Sequence, residues 1–389
     1  MKINMKKSLV AATLCLGVAG ASQAGNVYVT GSTAMRSTFY NAIIQPGACF
    51  TAAPTVTLYQ GGTSGNNAGS GANYMAFSGT LVGGSGTTVI KCQWSGSEAG
   101  IQDVATGLSE NFIADSALNG ADNGTNNPAA LESHTVDLAM ADSSQDFSRT
   151  PSPVLNQGTQ VGVITFEWIR NPGKFTGSNV TDQQIRQAFS GLCPLAVFSG
   201  NAADTGSFVY VSGRDNLSGT RVNGFGTTGF GIFTIPKQIE INNSGVMQQI
   251  GGQYKGDFGF TSGGTLAKTM GANTTAQTDM AYPTHPTGFS VIAYVGISDG
   301  NTAVANGATV LTLNGVPFSP AAVKEGTYNY WGNEYIYAAN TIGTEAQTAY
   351  NNLSNPTTGI SHYCDGVSAI DVTQMNCSRT GPDADPVHN

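Results

Sequence analysis

Charge is scarce in this chain. Only 10% of its 389 residues are charged, and 16 Lys and Arg stand against 24 Asp and Glu, for a formal charge of −8. That excludes the basic surface that nucleic acid or anionic lipid requires. Histidine is scarcer still: His134, His285, His362 and His388 are scattered without metal-ligand spacing, and no CxxC or HExxH occurs. The Asp115–Gly120 fragment looks like a calcium loop, but Ala117 and Asn126 stand where ligating carboxylates belong. No His/Cys/Asp arrangement has the spacing of a nucleophile with its base, so neither an enzyme nor a cofactor is expected. Long apolar runs are also lacking. Ser8 to Ala21 is too short for a membrane span, and no second segment follows it.

That short run does have a meaning. Lys2, Lys6 and Lys7 precede it and Ser22-Gln23-Ala24 follows it, the order of an export signal over residues 1–24 with cleavage near Ala24. Leu14-Cys15 lies inside the run and does not form a lipoprotein box. A soluble, monomeric protein of the periplasm or the extracellular space is expected, with no stable membrane insertion. Export favours disulfides. Cys364–Cys377 closes a short local loop and is the first expected pair, Cys49–Cys92 the second, with Cys193 left over. The 51 glycines and the many Asn, Thr and Ser residues build a polar, weakly charged surface around a chain that is 40% hydrophobic.

Three stretches repeat one grammar. Strand Val27–Val29 runs through Gly31, Ser32 and Thr33 into a helix with Met35, Phe39, Ala42 and Ile43 on one face. Strand Thr88–Trp94 runs through Ser95-Gly96-Ser97 into a helix marked by Ile101, Val104, Ala105 and Leu108. Strand Val136–Met140 delivers Asp142, Ser143 and Ser144 at its end. Such units predict a parallel α/β sheet whose ligands gather beyond the carboxyl ends of the strands. Between the first two, residues 60–88 form a low-complexity hairpin or loop. "VGVITFEWI" (161–169) and "GFSVIAYVGISDG" read as buried strands, Thr181 caps a helix burying Ile185, Ala188 and Phe189, and Tyr335–Ala338 is a late strand.

Around "VYVSGRDNLSGTRVNGFG" (209–226), a strand over Phe208–Val211 runs into a glycine-marked turn, and Arg214 stands four residues ahead of Ser218, Gly219 and Thr220. One fixed cation, two hydroxyls and open backbone N–H groups together suit an oxyanion.

The pieces "GSTAMR", "GSEAGIQDV", "VDLAMADSS", "VTDQQIRQAFSG", "RDNLSGT", "VIAYVG" and "EGTYNYWGNEYIYA" occur in one order across most of the chain. In that order the chain resembles periplasmic phosphate-binding proteins of ABC uptake systems. The resemblance implies an α/β fold of the two-lobe type II solute-binding class. Lobe 1 would comprise 25–160 plus 337–389 and lobe 2 161–336, with crossings near 155–165 and 330–340. It implies inorganic phosphate or a similar oxyanion held by Ser32, Thr33, Ala34, Ser97, Asp142, Arg214, Ser218, Gly219 and Thr220, and an ABC permease as partner. Ser64 in "YQGGTSG" is the rival for Ser97. Asp142, an acceptor-only group, would take a hydrogen bond from a phosphate O–H and turn away sulfate. Glu98-Ala99-Gly100 departs from the Ser-Gly-Gly of many relatives, and the 60–88 insert is unusual.

Plainer roles are expected elsewhere. Glu98 caps its helix, Arg36 is either a solvated cation or a ligand, and Arg221 is a surface residue or a carboxylate's partner. Trp168 and Trp331 pack the core or hinge. The competing function is an exported surface or adhesion protein that reuses the fold. Low charge and polar loops favour it, whereas the grouping of Asp142, Arg214, Ser218 and Thr220 favours binding.

Overall fold

A computed structural model describes residues 23–59, 72–125, 127–248, 256–285 and 287–389. The expected export signal (save its last two residues), Ser64 and most of the 60–88 insert's head lie outside the described residues. None of the described helices is long and apolar enough to cross a membrane.

The fold is mixed α/β, and its main sheet has thirteen strands. We number β1 Gln23–Gly31, β2 Thr55–Tyr59, β3 Tyr74–Gly79, β4 Thr87–Gln93, β5 Leu138–Ala141, β6 Gln157–Arg170, β7 Phe208–Ser212, β8 Ser290–Gly296, β9 Thr309–Leu313 and β10 Trp331–Ala338. The helices that bear on the site are α1 Arg36–Ile43, α2 Ser97–Thr106, α3 Asp182–Phe189, α4 Gly219–Thr227, α5 Gly263–Thr269 and α6 Ile297–Ala305. The sheet runs β2-β3-β4-β1-β5-β10-β6-β8-β7, ending on the short edge Cys193–Pro194. The repeated strand–turn–helix grammar yields parallel pairing where it was read, β1 with β4 and with β5. β7 with β8 is parallel too. The pairs that close the sheet, β10 with β5 and β6 with β8, β9 and β10, are antiparallel.

One strand joins the two ends of the sheet. The first part of β6, up to Thr165, pairs with β10. From Phe166 onward it pairs with β8, and from Trp168 with β9 as well. The apolar run of the sequence explains this: Val161 to Ile169 has no exposed position, because the strand is covered on both faces. The chain returns beside the same point, where Phe166 N–H donates to the Tyr330 carbonyl at 3.2 Å just before β10 begins. Trp168, with no exposed surface, packs Phe189, Tyr294 and Tyr330 there.

Local signals mostly hold at the helices. Thr181 and Gln184 form a reciprocal capping box on α3. By contrast α1 starts at Arg36 behind Met35, with no side-chain cap, so Ser32 and Thr33 sit in the approach rather than in the first turn. α2 ends at Thr106, leaving Leu108 exposed beyond it.

The cysteine pairing is corrected. All five cysteines among the described residues are free thiols. The Cys364 Sγ faces the Ile360 carbonyl and the Cys377 Sγ the Val323 carbonyl, so the expected pair is held on different elements. Cys49 and Cys92 are near neighbours in the apolar core but unbonded, and burial pushes both thiols up.

Candidate anion site

Three helix N-termini meet at one small cavity. Its lining includes Thr33, Ala34 and Arg36 at α1, Thr220 in the first turn of α4, and Gly296, Ile297 and Ser298 at the start of α6. Each start presents unpaired backbone N–H groups and a partial positive charge. Arg214 and Asp299 complete the wall, with Thr165 and Ser368 behind. The volume is about 40 Å³, room for roughly three waters at 10–15 Å³ each, and so for a compact oxyanion.

Arg214 is fixed from behind and open in front. Its Nε donates to the Phe260 carbonyl at 3.0 Å and its Nη2 to the Thr261 carbonyl at 2.9 Å, while Nη1 points at Thr33 Oγ1, 3.5 Å away. Its backbone N–H donates to Tyr294 Oη at 3.1 Å. Arg36, open to either role on sequence grounds, is buried and lines the same cavity. Its guanidinium donates to the Thr33 and Ala72 carbonyls and to Asn73 Oδ1. Among the described residues neither arginine has a carboxylate within salt-bridge distance. Burial lowers Arg36 to about 10; Asp299 holds it up and the like charge of Arg214 pushes it down further. Arg36 stays charged at neutral pH.

The rest of the expected set divides. Thr33, Ala34, Arg214 and Thr220 share the cavity. Ser97, Asp142 and Gly219 form a packed cluster beside it. The Ser97 hydroxyl donates to Asp142 Oδ1 at 2.7 Å, and a β-carbon on Gly219 would lie 1.5 Å from that oxygen. The N–H of Glu98 in the first turn of α2 donates to the Leu217 carbonyl at 3.1 Å, so this helix start is engaged by the chain leading into α4 rather than by the cavity. Ser32 is turned away, its hydroxyl donating to Glu334 Oε2 at 3.2 Å. Ser218 is buried with its hydroxyl unpartnered among the described residues. Arg221 is no surface residue: it is buried and paired with Asp257, and so is spent. Glu98 does not cap its own helix. Its carboxylate accepts from the Ser143 hydroxyl at 2.8 Å and the Arg149 N–H at 2.7 Å.

Asp299 was missed. It sits in the first turn of α6, after a strand–turn–helix signal ("VGISDG") of the same kind that marked the other helix starts.

Several carboxyls around the sheet are buried with no salt-bridge partner among the described residues. Burial raises Glu98, Asp103 and Glu167 to about 7 and Asp142 to about 6, against the weaker opposing pull of Arg149 on Glu98 and of Arg214 on Asp142. A carboxyl whose folded pKa exceeds its unfolded value binds more protons when folded, so stability is lost as pH rises between those values. Calorimetric melting should therefore give a higher Tm at pH 5 than at pH 8, by at least about 3 °C. Glu167→Gln should shrink the difference. A Tm that rises toward pH 8 would contradict the assignment.

No protein-family profile matches the chain, and neither does any curated protein sequence. Solved structures of phosphate-binding proteins of ABC transporters do resemble it, at low identity. One, from Clostridium perfringens, is described as a phosphate ABC transporter substrate-binding protein with bound phosphate. It is 12% identical, covers 89% of this chain and 99% of its own, and has a TM-score of 0.48. An ABC-type phosphate transport receptor from Vibrio cholerae is 11% identical over 86% of this chain and 95% of its own, at 0.42. The phosphate-binding protein PstS from Borrelia burgdorferi is 11% identical over 89% and 98%, at 0.40. At such scores the likeness transfers no residue's role, and the chemistry of the site rests on its own geometry.

Proposed function

We propose that this is an exported protein that captures inorganic phosphate or a similar oxyanion between two lobes and presents it to an ABC permease. The lobes are residues 25–160 plus 337–389 and residues 161–336, with the chain passing between them near 155–165 and again near 330–340. One observation carries the reading: two buried arginines, neither within salt-bridge distance of a carboxylate among the described residues, face one cavity at which three helix N-termini converge. Like charges held together in a low dielectric repel, and an anion placed between them relieves this. Thr33, Ala34, Arg36, Arg214 and Thr220 would bind directly. Ser32, Ser97, Asp142, Ser218 and Gly219 would hold the α4 start against the first lobe. A handful of charge-assisted hydrogen bonds at about 1.5–3 kcal/mol each together more than cover the roughly −8 kcal/mol of micromolar affinity, leaving a surplus for ordering and closure.

Isothermal titration of the protein with phosphate, arsenate and sulfate tests the proposal. Phosphate and arsenate should bind at micromolar affinity or better, with sulfate weaker. No heat and no thermal shift with millimolar phosphate would defeat it. Arg36→Lys keeps the charge and loses the planar fork that engages Thr33, Ala72 and Asn73. It should weaken phosphate about tenfold, with the fold intact by circular dichroism. Unaltered affinity would return Arg36 to a structural role.

A further inference from the structure

We infer that residues 379–382 form a strap that positions α4, a third tie between the proposed lobes that sets how long the bound anion stays. This deepens the reading above and rests on its two lobes. After Ile370, which pairs with Val163 of β6, the chain crosses toward the other lobe. There the Asn376 N–H donates to the Lys324 carbonyl at 2.9 Å, and the Cys377 Sγ faces the Val323 carbonyl. Cys377–Ser378 pairs antiparallel with Val387–His388, so the residues between them project as one loop. In that loop Arg379, Gly381 and Pro382 are buried, while Ser378, Thr380 and Asp383 are exposed.

Each buried residue meets a different part of the molecule. A β-carbon on Gly381 would lie 2.3 Å from the ring of Phe147, in the turn that follows Asp142 in the first lobe. A β-carbon on Gly226 of α4, in the second lobe, would lie 2.7 Å from the Pro382 side chain. Two glycines thus let the strap rest directly on both lobes. Arg379 covers the second chain passage. Its Cζ stands 4.1 Å from the centroid of the Trp331 ring, and its Nη1 donates to the Asn329 carbonyl at 3.0 Å. Among the described residues no carboxylate lies within salt-bridge distance of it, so the indole face and that carbonyl hold this buried charge.

The strap acts through α4. The first turn of that helix brings Thr220 to the anion cavity, Asn223 Nδ2 donates to the Asp142 carbonyl at 2.7 Å, and Gly226 rests on Pro382. Parting α4 from β5 must therefore also separate Pro382 from Gly226 or Gly381 from Phe147. A contact made only in the closed form shifts the population toward it and slows release. No residue of 376–389 lines the anion cavity, so the strap governs closure and is blind to which oxyanion is held.

The test uses the full chain. Isothermal titration gives phosphate and arsenate affinities, phosphorus NMR exchange gives the phosphate dissociation rate, and small-angle scattering gives the ligand-free radius of gyration. Phe147→Ala and Gly381→Ala should each speed dissociation about tenfold with association little changed. Phosphate and arsenate should weaken alike, and the ligand-free particle should be larger. Arg379→Met, which keeps the bulk and loses the charge, should do the same to a smaller degree. Pro386→Ala is the control: Pro386 packs on Gly326 at the base of the strap, and its loss should lower only Tm. Where thermal melting shows Gly381→Ala unfolded, Phe147→Ala serves alone. Unchanged dissociation in a folded Phe147→Ala, or equal acceleration by Pro386→Ala, overturns the inference while phosphate binding stands. If the unaltered protein binds no phosphate, the proposed function falls and the ligand-free radii alone judge the strap. A larger radius in Phe147→Ala then supports it, and an equal one overturns it.

Discussion

Arg214→Ala should abolish phosphate binding in a protein that still folds. The guanidinium supplies one of two cations to the cavity, and with Asp299 opposite, its loss leaves the walls with no net positive charge. At least a hundredfold loss of affinity is expected, about 3 kcal/mol at 1.4 kcal/mol per tenfold. The side chain also donates to the Phe260 and Thr261 carbonyls. Their loss should lower Tm by a few degrees, since each net hydrogen bond contributes about 1 kcal/mol. Arg214→Lys, which retains charge but not the fork, should fall between the two proteins in affinity. Calorimetric titration beside a thermal melt separates the effects. Full affinity in the alanine variant would show that Arg214 serves only to tie down the 260–261 segment.

Gly219→Ala should be nearly as severe, for a different reason. No left-handed conformation demands glycine here, since Gly219 is not among the residues with positive φ. Space demands it. The added carbon would stand 1.5 Å from Asp142 Oδ1 and 2.8 Å from the Ser97 β-carbon, and Asp142 is itself held by the Ser97 hydroxyl. The start of α4 would have to retreat from the end of β5, carrying Thr220 with it and opening the contact between the two parts of the sheet. Phosphate affinity should drop at least about a hundredfold, the loss expected when binding geometry is displaced by about 1 Å. Small-angle scattering with saturating phosphate should show a larger radius of gyration than the unaltered protein. Tm should fall as well, because a clash in buried packing costs about 1–3 kcal/mol. A variant that binds and compacts normally would show that this packing is not needed for closure.

Which of these residues could be seen in the sequence depends on whether their role is local. The reciprocal Thr181–Gln184 cap needs only neighbours three residues apart, and it stands as read. The apolar run of β6 announces burial on both faces without reference to any partner. Arg214, Ser218, Gly219 and Thr220 lie on one strand–turn–helix unit, so their grouping is local too. Arg36 could not be resolved. A cation in a first helical turn reads the same whether that turn faces solvent or a cavity, and only the packing of α1 against the Ala72–Asn73 segment decides it. Glu98 looked like a cap because acids favour helix starts. It is drawn instead to Ser143 and to the Arg149 N–H, about fifty positions away. Asp299 escaped because one acid after a buried strand has no local mark of function.

The sequence by itself determined an acid-leaning, weakly charged α/β chain, its strand–turn–helix units, and the residues that stand at their helix starts, because hydrophobic period, capping and composition act over a few residues. The tertiary structure alone decided which starts face one another. It turned Ser97 and Asp142 into packing for Gly219 and sent Ser32 to Glu334. It left the five thiols on separate supports and set Arg36, Arg214 and Asp299 around one space. Those outcomes depend on strand order, and strand order is fixed by long-range pairing and burial, whose energies no short stretch of sequence contains.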